Sequence, residues 1–242
     1  MRLGIIIPAH NEERAIGPVI YRCRRAAGAL GSFRIIVADN ASSDGTTVKA
    51  QNAGATVISV IPRGYGRACQ AAVWQLGDWP DILIFLDADG SAQPEEIERL
   101  IEPIRANQAD LVLGQRPQRA PLTLLQRFGN QLAAFMIRIR WGHCYQDLGP
   151  FRAIRRLSFQ ALKMTDPTWG WTVEMQILAL LKGLRVYEVS VTWSQRLAGQ
   201  SKISGNPKGA LCAGAKILWT IGRYLTQSVP PAPTSCPVSK TP

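Results

Sequence analysis

At 242 residues the chain has room for one large domain, or one domain with appendages, and its 46% hydrophobic residues suffice for a substantial core. Lys plus Arg number 28 against 17 Asp plus Glu, a formal charge of +11, which favours an anionic partner: nucleic acid, phospholipid head groups or a phosphorylated substrate. The five cysteines are scattered without a Cys-x-x-Cys pair, which excludes a disulfide framework and a zinc pattern and points to a reducing cytosol. His143-Cys144 is half a metal site at most. The chain opens on a strand-like run, with no basic segment leading into a long apolar one, so no signal peptide is expected. No stretch of about 18 uninterrupted apolar residues predicts a transmembrane helix.

Arg2 to Pro8 reads as a first strand, ended by a proline that cannot continue a central ladder. Asn11-Glu12-Glu13 can cap the helix that follows, with Ile16, Val19, Ile20 and Cys23 at helical spacing. Ile35 to Ala38 is a second buried strand ending in Asp39-Asn40, and the polar turn Ala41 to Thr46 opens a short helix. Thr56 to Val60 is a third strand, and Arg63-Gly64-Tyr65-Gly66 is a loop opening the helix around Ala68 to Leu76. Asp81 to Leu86 is a fourth strand, apolar throughout its interior, which runs into Asp87-Ala88-Asp89-Gly90. Pro94 starts the next helix, with Glu95, Glu96 and Glu98 in its first turns, and Ala109 to Gly114 is a fifth strand. Strands alternating with helices predict βαβ units and a mostly parallel sheet, an α/β class.

The second half changes character. Pro121 to Trp141 is a helix with Leu124, Leu125, Phe128, Leu132, Phe135, Met136 and Ile139 on one broad face and arginines at 127, 138 and 140. Such a helix lies on a membrane surface or packs on the sheet; the pattern fits both. Gln146 to Arg156 packs three arginines near a Gly-Pro turn, Trp169 to Glu174 precedes an apolar helix ending near Gly183, and Arg185 to Trp193 alternates as a further strand. Lys208 to Leu225 is a second amphipathic helix, and the Pro, Ser and Thr-rich tail from Ser228 is expected to be disordered. The domain expectation is therefore 1–205 for the α/β domain, 206–227 for the amphipathic helix and 228–242 for the tail.

Two carboxylates one residue apart at the end of a buried strand suit a divalent cation, and Mg²⁺ is commonly shared with substrate phosphates. The same residues also make ordinary turns. Three strand ends carry polar clusters, however: Asn11-Glu12, Asp39 and Asp87/Asp89. In a parallel sheet all three face one crevice, which favours a nucleotide pocket.

Pro8-Ala9-His10-Asn11-Glu12, the Asp39 to Thr46 segment, Arg63-Gly64-Tyr65-Gly66 and Asp87-Ala88-Asp89 together resemble a family 2 glycosyltransferase of the GT-A fold, a Rossmann-like sheet flanked by helices. Within that family, Asp147 to Arg152, Trp171 to Gln176 and Gly199 to Lys202 are similar to the polyprenyl-phosphate sugar transferases of the dolichol-phosphate mannose synthase type. The resemblance covers about residues 2 to 205 and implies inverting sugar transfer, of hexosyltransferase class, from a nucleotide-diphosphate sugar. It implies that Pro8, Ala9, Asn11, Glu12, Asp39, Asn40, Gly64, Gly66, Arg67, Asp87 and Ala88 bind the donor. It also implies that Asp89, with Asp87, ligates Mg²⁺ or Mn²⁺ at the diphosphate. Chemistry agrees, since a cation there stabilises the charge developing on the leaving group. Gly64 and Gly66 would let backbone approach the ligand closely. Where these relatives carry a metal-holding glutamine two residues after the second aspartate this chain has Ser91, with Gln93 two further on.

A polyprenyl-phosphate acceptor attacks through its own oxyanion, and Arg116, Arg119, Arg127, Arg152 and Lys202 would bind its phosphate. A hydroxyl acceptor needs a general base, for which Glu174 is the candidate; the helix dipole equally favours a glutamate in a first turn. Asp89, Glu174 and Arg152 are thus the expected catalytic residues. The expectation is a peripheral enzyme on the cytoplasmic face of a membrane. The other-class alternative, a basic nucleic-acid-binding protein, accounts for the charge but not for three acidic strand ends in one crevice.

Overall fold

The computed structural model describes residues 1–117, 120, 123–198 and 207–230. Seven strands form one sheet in the order β3-β2-β1-β4-β6-β5-β7. They are β1 (Arg2–Ala9), β2 (Ser32–Asp39), β3 (Thr56–Ser59), β4 (Ile82–Phe85), β5 (Leu111–Gln115), β6 (Arg152–Arg155) and β7 (Val186–Ser190). The helices are α1 (Ile16–Gly28), α2 (Thr46–Asn52), α3 (Tyr65–Leu76), α4 (Ile97–Arg105), α5 (Leu124–Trp141), α6 (Arg156–Leu162), α7 (Trp171–Leu181) and α8 (Pro207–Tyr224). A single 3₁₀ turn, Pro94–Glu96, leads into α4.

The strand interiors are apolar on both sides because both faces are covered. Leu3, Ile5 and Ile7 of β1 join Ile82 and Ile84 of β4 in a core under α1 and α4. Their neighbours Ile6, Leu83 and Phe85 point the other way, into a core with α3, α5, α6, α7 and α8. That alternation is the period of two of a pleated strand, applied to a sheet that is buried on both faces. On the second face Phe85, Phe159 and Trp171 form an aromatic cluster, with centroids 5.9 to 6.4 Å apart, that seats the start of α7.

Every strand runs parallel to its partners except β6, which is antiparallel to both β4 and β5. The segment Gln146 to Arg156, read from sequence as an arginine-rich turn, therefore contains a central strand. Pro8 does not end β1, which continues to Ala9 in register with Asp39. Its missing N–H falls on the β4 side, where the β1–β4 ladder has already ended at Phe85 opposite Ile6.

Asn11, Glu12 and Glu13 do not cap α1, which has no side-chain cap. They zip the end of β1 to the turn after β2 instead: Ser43 N donates to Asn11 Oδ1 (2.8 Å), Glu12 N to Thr46 Oγ1 (2.8 Å) and Gly45 N to Glu13 Oε2 (3.0 Å). α5 does not bury the apolar face read from its sequence. Ala133 and Ile137, which lie outside that face, are buried in the core, while Phe128, Phe135 and Ile139 of it are 62%, 55% and 70% exposed. α8 packs on α5 and α7 through Ala213, Ile221 and Tyr224. No described helix is long and apolar enough to cross a membrane.

Candidate active site

The ends of β1, β2 and β4 converge, as an open parallel sheet requires. Asp39 is buried at the end of β2, accepting from Ser42 N (3.1 Å) and Thr47 Oγ1 (2.9 Å). Its neighbour Asn40 accepts from Gly64 N (2.9 Å), which ties the β2 end to the loop before α3. From that helix, Tyr65 donates its hydroxyl to Asp87 Oδ1 (3.2 Å) at the end of β4. Pro8 and Ala9 end β1 beside these groups, and Ala9 and Ala88 are buried.

Asp89 is buried and its Oδ1 accepts from Ser91 N (2.9 Å) and Ser91 Oγ (2.6 Å). Its Oδ2 receives the Arg196 guanidinium at 2.7 Å, and the same guanidinium reaches Glu12 Oε1. One cation thus bridges buried carboxylates from the β1 and β4 ends. Burial, and then the charge of Asp89, push the Asp87 carboxyl up to about 7, against the pull of Tyr65, Arg196 and Arg116. Ser91 thus serves Asp89 by hydrogen bonding. Gln93 is turned elsewhere: it accepts from Arg22 and donates to Ser194 Oγ (2.8 Å).

The Gly64 and Gly66 loop is in close contact with the backbone of residues 166–168. Gly66 N donates to Thr168 O (3.2 Å) and Arg67 N to Pro167 O (3.0 Å), so the 166–168 loop caps the orphan amides of α3. A Cβ at Gly66 would lie 2.1 Å from Asp166 O, and one at Gly64 2.3 Å from Pro167 O. Gly66→Ala is therefore expected to cost about 2–4 kcal/mol, by forcing these backbones apart, and to raise the donor KM through Tyr65. Chemical denaturation checks it; a loss below about 0.5 kcal/mol, the size of an ordinary surface change, refutes the contact. Arg67 itself turns back onto Pro62 O (3.0 Å) and Arg63 O (2.9 Å).

The expected acceptor residues divide. Arg116 stands in the crevice, with its Nε and one Nη each 2.7 Å from Asp147, and its guanidinium 5.3 Å from the Trp193 ring centroid. Arg127 donates to Ala120 O (2.9 Å). Arg152 is 1% exposed and holds Gly149 O and Thr172 O, pinning the Gly149-Pro150 turn to α7. Burial pulls its guanidinium below the ordinary arginine range. Both of its Nη atoms are thus used on backbone carbonyls inside the protein. Arg119 and Lys202 lie outside the described residues.

Glu174 is fully buried, and both oxygens are occupied by donors from Thr165 N (3.0 Å), Thr165 Oγ1 (2.8 Å), Asp166 N (2.8 Å) and Tyr224 OH (2.7 Å). This geometry makes it the anchor of the 165–168 loop and leaves no lone pair facing the crevice for a general base.

Residues 4–163 match the family described as glycosyl transferase family 2. The chain belongs to that family. The transferase is 32% identical to an uncharacterised glycosyltransferase of Mycobacterium tuberculosis (strain ATCC 25618 / H37Rv) over 212 residues, 86% of this chain and 93% of that one. It is 31% identical over 226 residues to the undecaprenyl-phosphate mannosyltransferase of Micrococcus luteus, across 86% and 90% of the two chains. Among solved structures, the glucosyl-3-phosphoglycerate synthase of Mycobacterium tuberculosis, in complex with Mn²⁺, UDP and glucosyl-3-phosphoglycerate, superposes with a TM-score of 0.70 at 22% identity. That match covers 91% of this chain and 80% of the other, and at this identity it speaks for the fold, which is GT-A. Family membership makes the chain an enzyme and displaces the nucleic-acid-binding alternative.

The donor set of the transferase suits a hard cation shared with substrate. No group of three His, Cys, Asp or Glu side chains gathers among the described residues. Asp89, with Asp87 beside it, would supply carboxylate oxygens while a diphosphate supplies the others, the usual manner of Mg²⁺ binding. Arg196 went unnoticed in the sequence because nothing in a polar loop after β7 marks it as a partner of Glu12, 184 positions away.

Proposed function

We propose that the transferase moves a sugar from a nucleoside-diphosphate donor to a polyprenyl phosphate, with inversion. The observation that carries this reading is the pair of buried carboxylates, Glu12 and Asp89, drawn together by a cation at converging strand ends, with Arg116 across the crevice. Asp39, Asn40 and the 8–12 segment are assigned to the nucleoside, and Asp87 to the sugar or ribose. A divalent cation held by Asp89 and Asp87 would neutralise the diphosphate leaving group.

An acceptor phosphate oxygen, already anionic, attacks the anomeric carbon as the bond to the diphosphate oxygen breaks, its electron pair leaving on the nucleotide. No proton need be removed, which suits a site in which Glu174 is fully engaged elsewhere. The free edge of Arg116, fixed in direction by Asp147, is assigned to the acceptor phosphate. The relative named as an undecaprenyl-phosphate mannosyltransferase supports the lipid-phosphate acceptor.

A membrane surface would bring that acceptor within reach. Phe128, Phe135 and Ile139 form one exposed apolar stripe on α5, and α8 exposes Trp219 next to Lys216 and Arg223. Apolar rings flanked by cations fit an interfacial helix on anionic lipid.

The test is a screen of radiolabelled UDP- and GDP-sugars with Mg²⁺ or Mn²⁺, using anionic vesicles with and without polyprenyl phosphate. Label moving into the lipid only when polyprenyl phosphate is present, with the protein floating with the vesicles, is the expected result. Transfer to a soluble phosphorylated acceptor such as 3-phosphoglycerate, with none to lipid, would overturn the acceptor.

A further inference from the structure

Arg196 lies on a strap that crosses the carboxylate-bearing turn after β4. Trp193 forms a β-bridge with Ala92, Ser194 N donates to Ser91 O (2.9 Å), and Leu197 N donates to Asp89 O (2.9 Å). Gln93 adds its bond to Ser194 Oγ. Gly90, at φ 75°, takes the Leu197 side chain directly on its backbone, where a Cβ would come within 2.5 Å of Leu197 Cδ1. Strap and turn are in contact over their whole shared length.

The guanidinium on that strap sits in the place a dication would need. Asp89 Oδ1 is committed to Ser91, so a metal must approach through Oδ2, the atom that Arg196 holds at 2.7 Å. A dication bonding that oxygen at about 2.1 Å would lie against the guanidinium, and like charges at such separation repel strongly. Arg196 is also incompletely satisfied: its buried Nε has no acceptor among the described residues. The bridge is therefore a cation site filled by a side chain that has less than its full set of partners.

We propose that Arg196 is a resident cation that occupies the metal position of the free enzyme, and that divalent metal displaces it and frees the 193–198 strap from the 89–92 turn. Arg196 is a positioning residue in this account, since it acts through Asp89. The inference rests on reading Asp89 as the metal ligand. With the metal in place, Arg196 becomes a mobile positive charge beside a bound diphosphate.

Two measurements that need no turnover test it. Mn²⁺ is titrated into the full chain and followed by the electron paramagnetic resonance of the free ion, for wild type, Arg196→Gln and Asp89→Asn. The expected result is Mn²⁺ binding about tenfold tighter in Arg196→Gln, equivalent to about 1.4 kcal/mol of competition removed, and lost in Asp89→Asn. Equal or weaker binding by Arg196→Gln overturns the proposal while leaving the metal site standing. No Mn²⁺ binding by either protein, even with UDP or GDP added, overturns the metal reading as well.

Should Arg196→Gln fail to fold, the wild type still decides. Trypsin needs the Arg196 side chain in its own specificity pocket, so the bridge protects that bond. Mn²⁺ at constant ionic strength is expected to speed appearance of the 1–196 fragment, by mass spectrometry, in wild type but not in Asp89→Asn. An unchanged or slower rate with Mn²⁺ overturns the proposal.

Discussion

Asp89→Asn is expected to lower sugar transfer by at least about a hundredfold while the protein stays folded, the loss typical of removing one charge-stabilising group from a developing anion. The substitution keeps the size of the side chain and leaves a carbonyl oxygen for Ser91 N and Oγ, so the turn after β4 retains its internal bonds. What disappears is the negative charge at Oδ2. Arg196 keeps Glu12 as a partner, which limits the stability cost of the half-buried pair to about 1–2 kcal/mol. A circular dichroism melt separates the two effects from an assay of transfer at saturating metal. Full activity in the variant, or full activity of wild type in excess chelator, would remove Asp89 from the metal role.

The parts of the site that are local in the chain were legible in the sequence. A short apolar run ending in polar residues marks a buried strand, and β1, β2 and β4 follow that rule, as does the α/β class. What was hidden depends on contacts between distant segments. β6 is four residues bounded by arginines, and nothing in Arg152-Ala153-Ile154-Arg155 resembles a central strand. Carbonyls of Gly149 and Thr172 offset part of the cost of burying Arg152 there. Gly64 and Gly66 mark a close approach without saying to what, and the sequence does not reveal that the 166–168 backbone is one of the partners. The amphipathic helix read at 121–141 is present as α5, but its core contact runs through Ala133 and Ile137, outside the face of large apolar residues that its sequence displays, because size and periodicity alone do not tell which side meets the core.

The same limit applies to Glu174, the candidate base for a hydroxyl acceptor, whose place in a helix's first turn the helix dipole explains equally well. Glu174→Ala is expected to destabilise the fold by about 3–5 kcal/mol, because two backbone amides and two hydroxyls would lose a fully buried acceptor together. Glu174→Gln is expected to cost about 1 kcal/mol and to keep transfer within a few-fold of wild type. The asymmetry of the donors explains why. Thr165 N and Asp166 N are fixed donors and both point at Oε2, where the amide oxygen of glutamine can stand. The hydroxyls of Thr165 and Tyr224 meet Oε1, and each can rotate to accept from the amide NH₂ instead. Tyr224 remains a neutral hydroxyl throughout the working range, since burial and then its bond to Glu174 raise its pKa to about 12. A general base would behave in the opposite way: glutamine would preserve the fold and abolish transfer. Denaturation curves and kcat for the two variants therefore separate an anchor from a base. The alanine variant should also raise the donor KM, because a loosened 165–168 loop releases the amides of α3 and, through Tyr65, the position of Asp87.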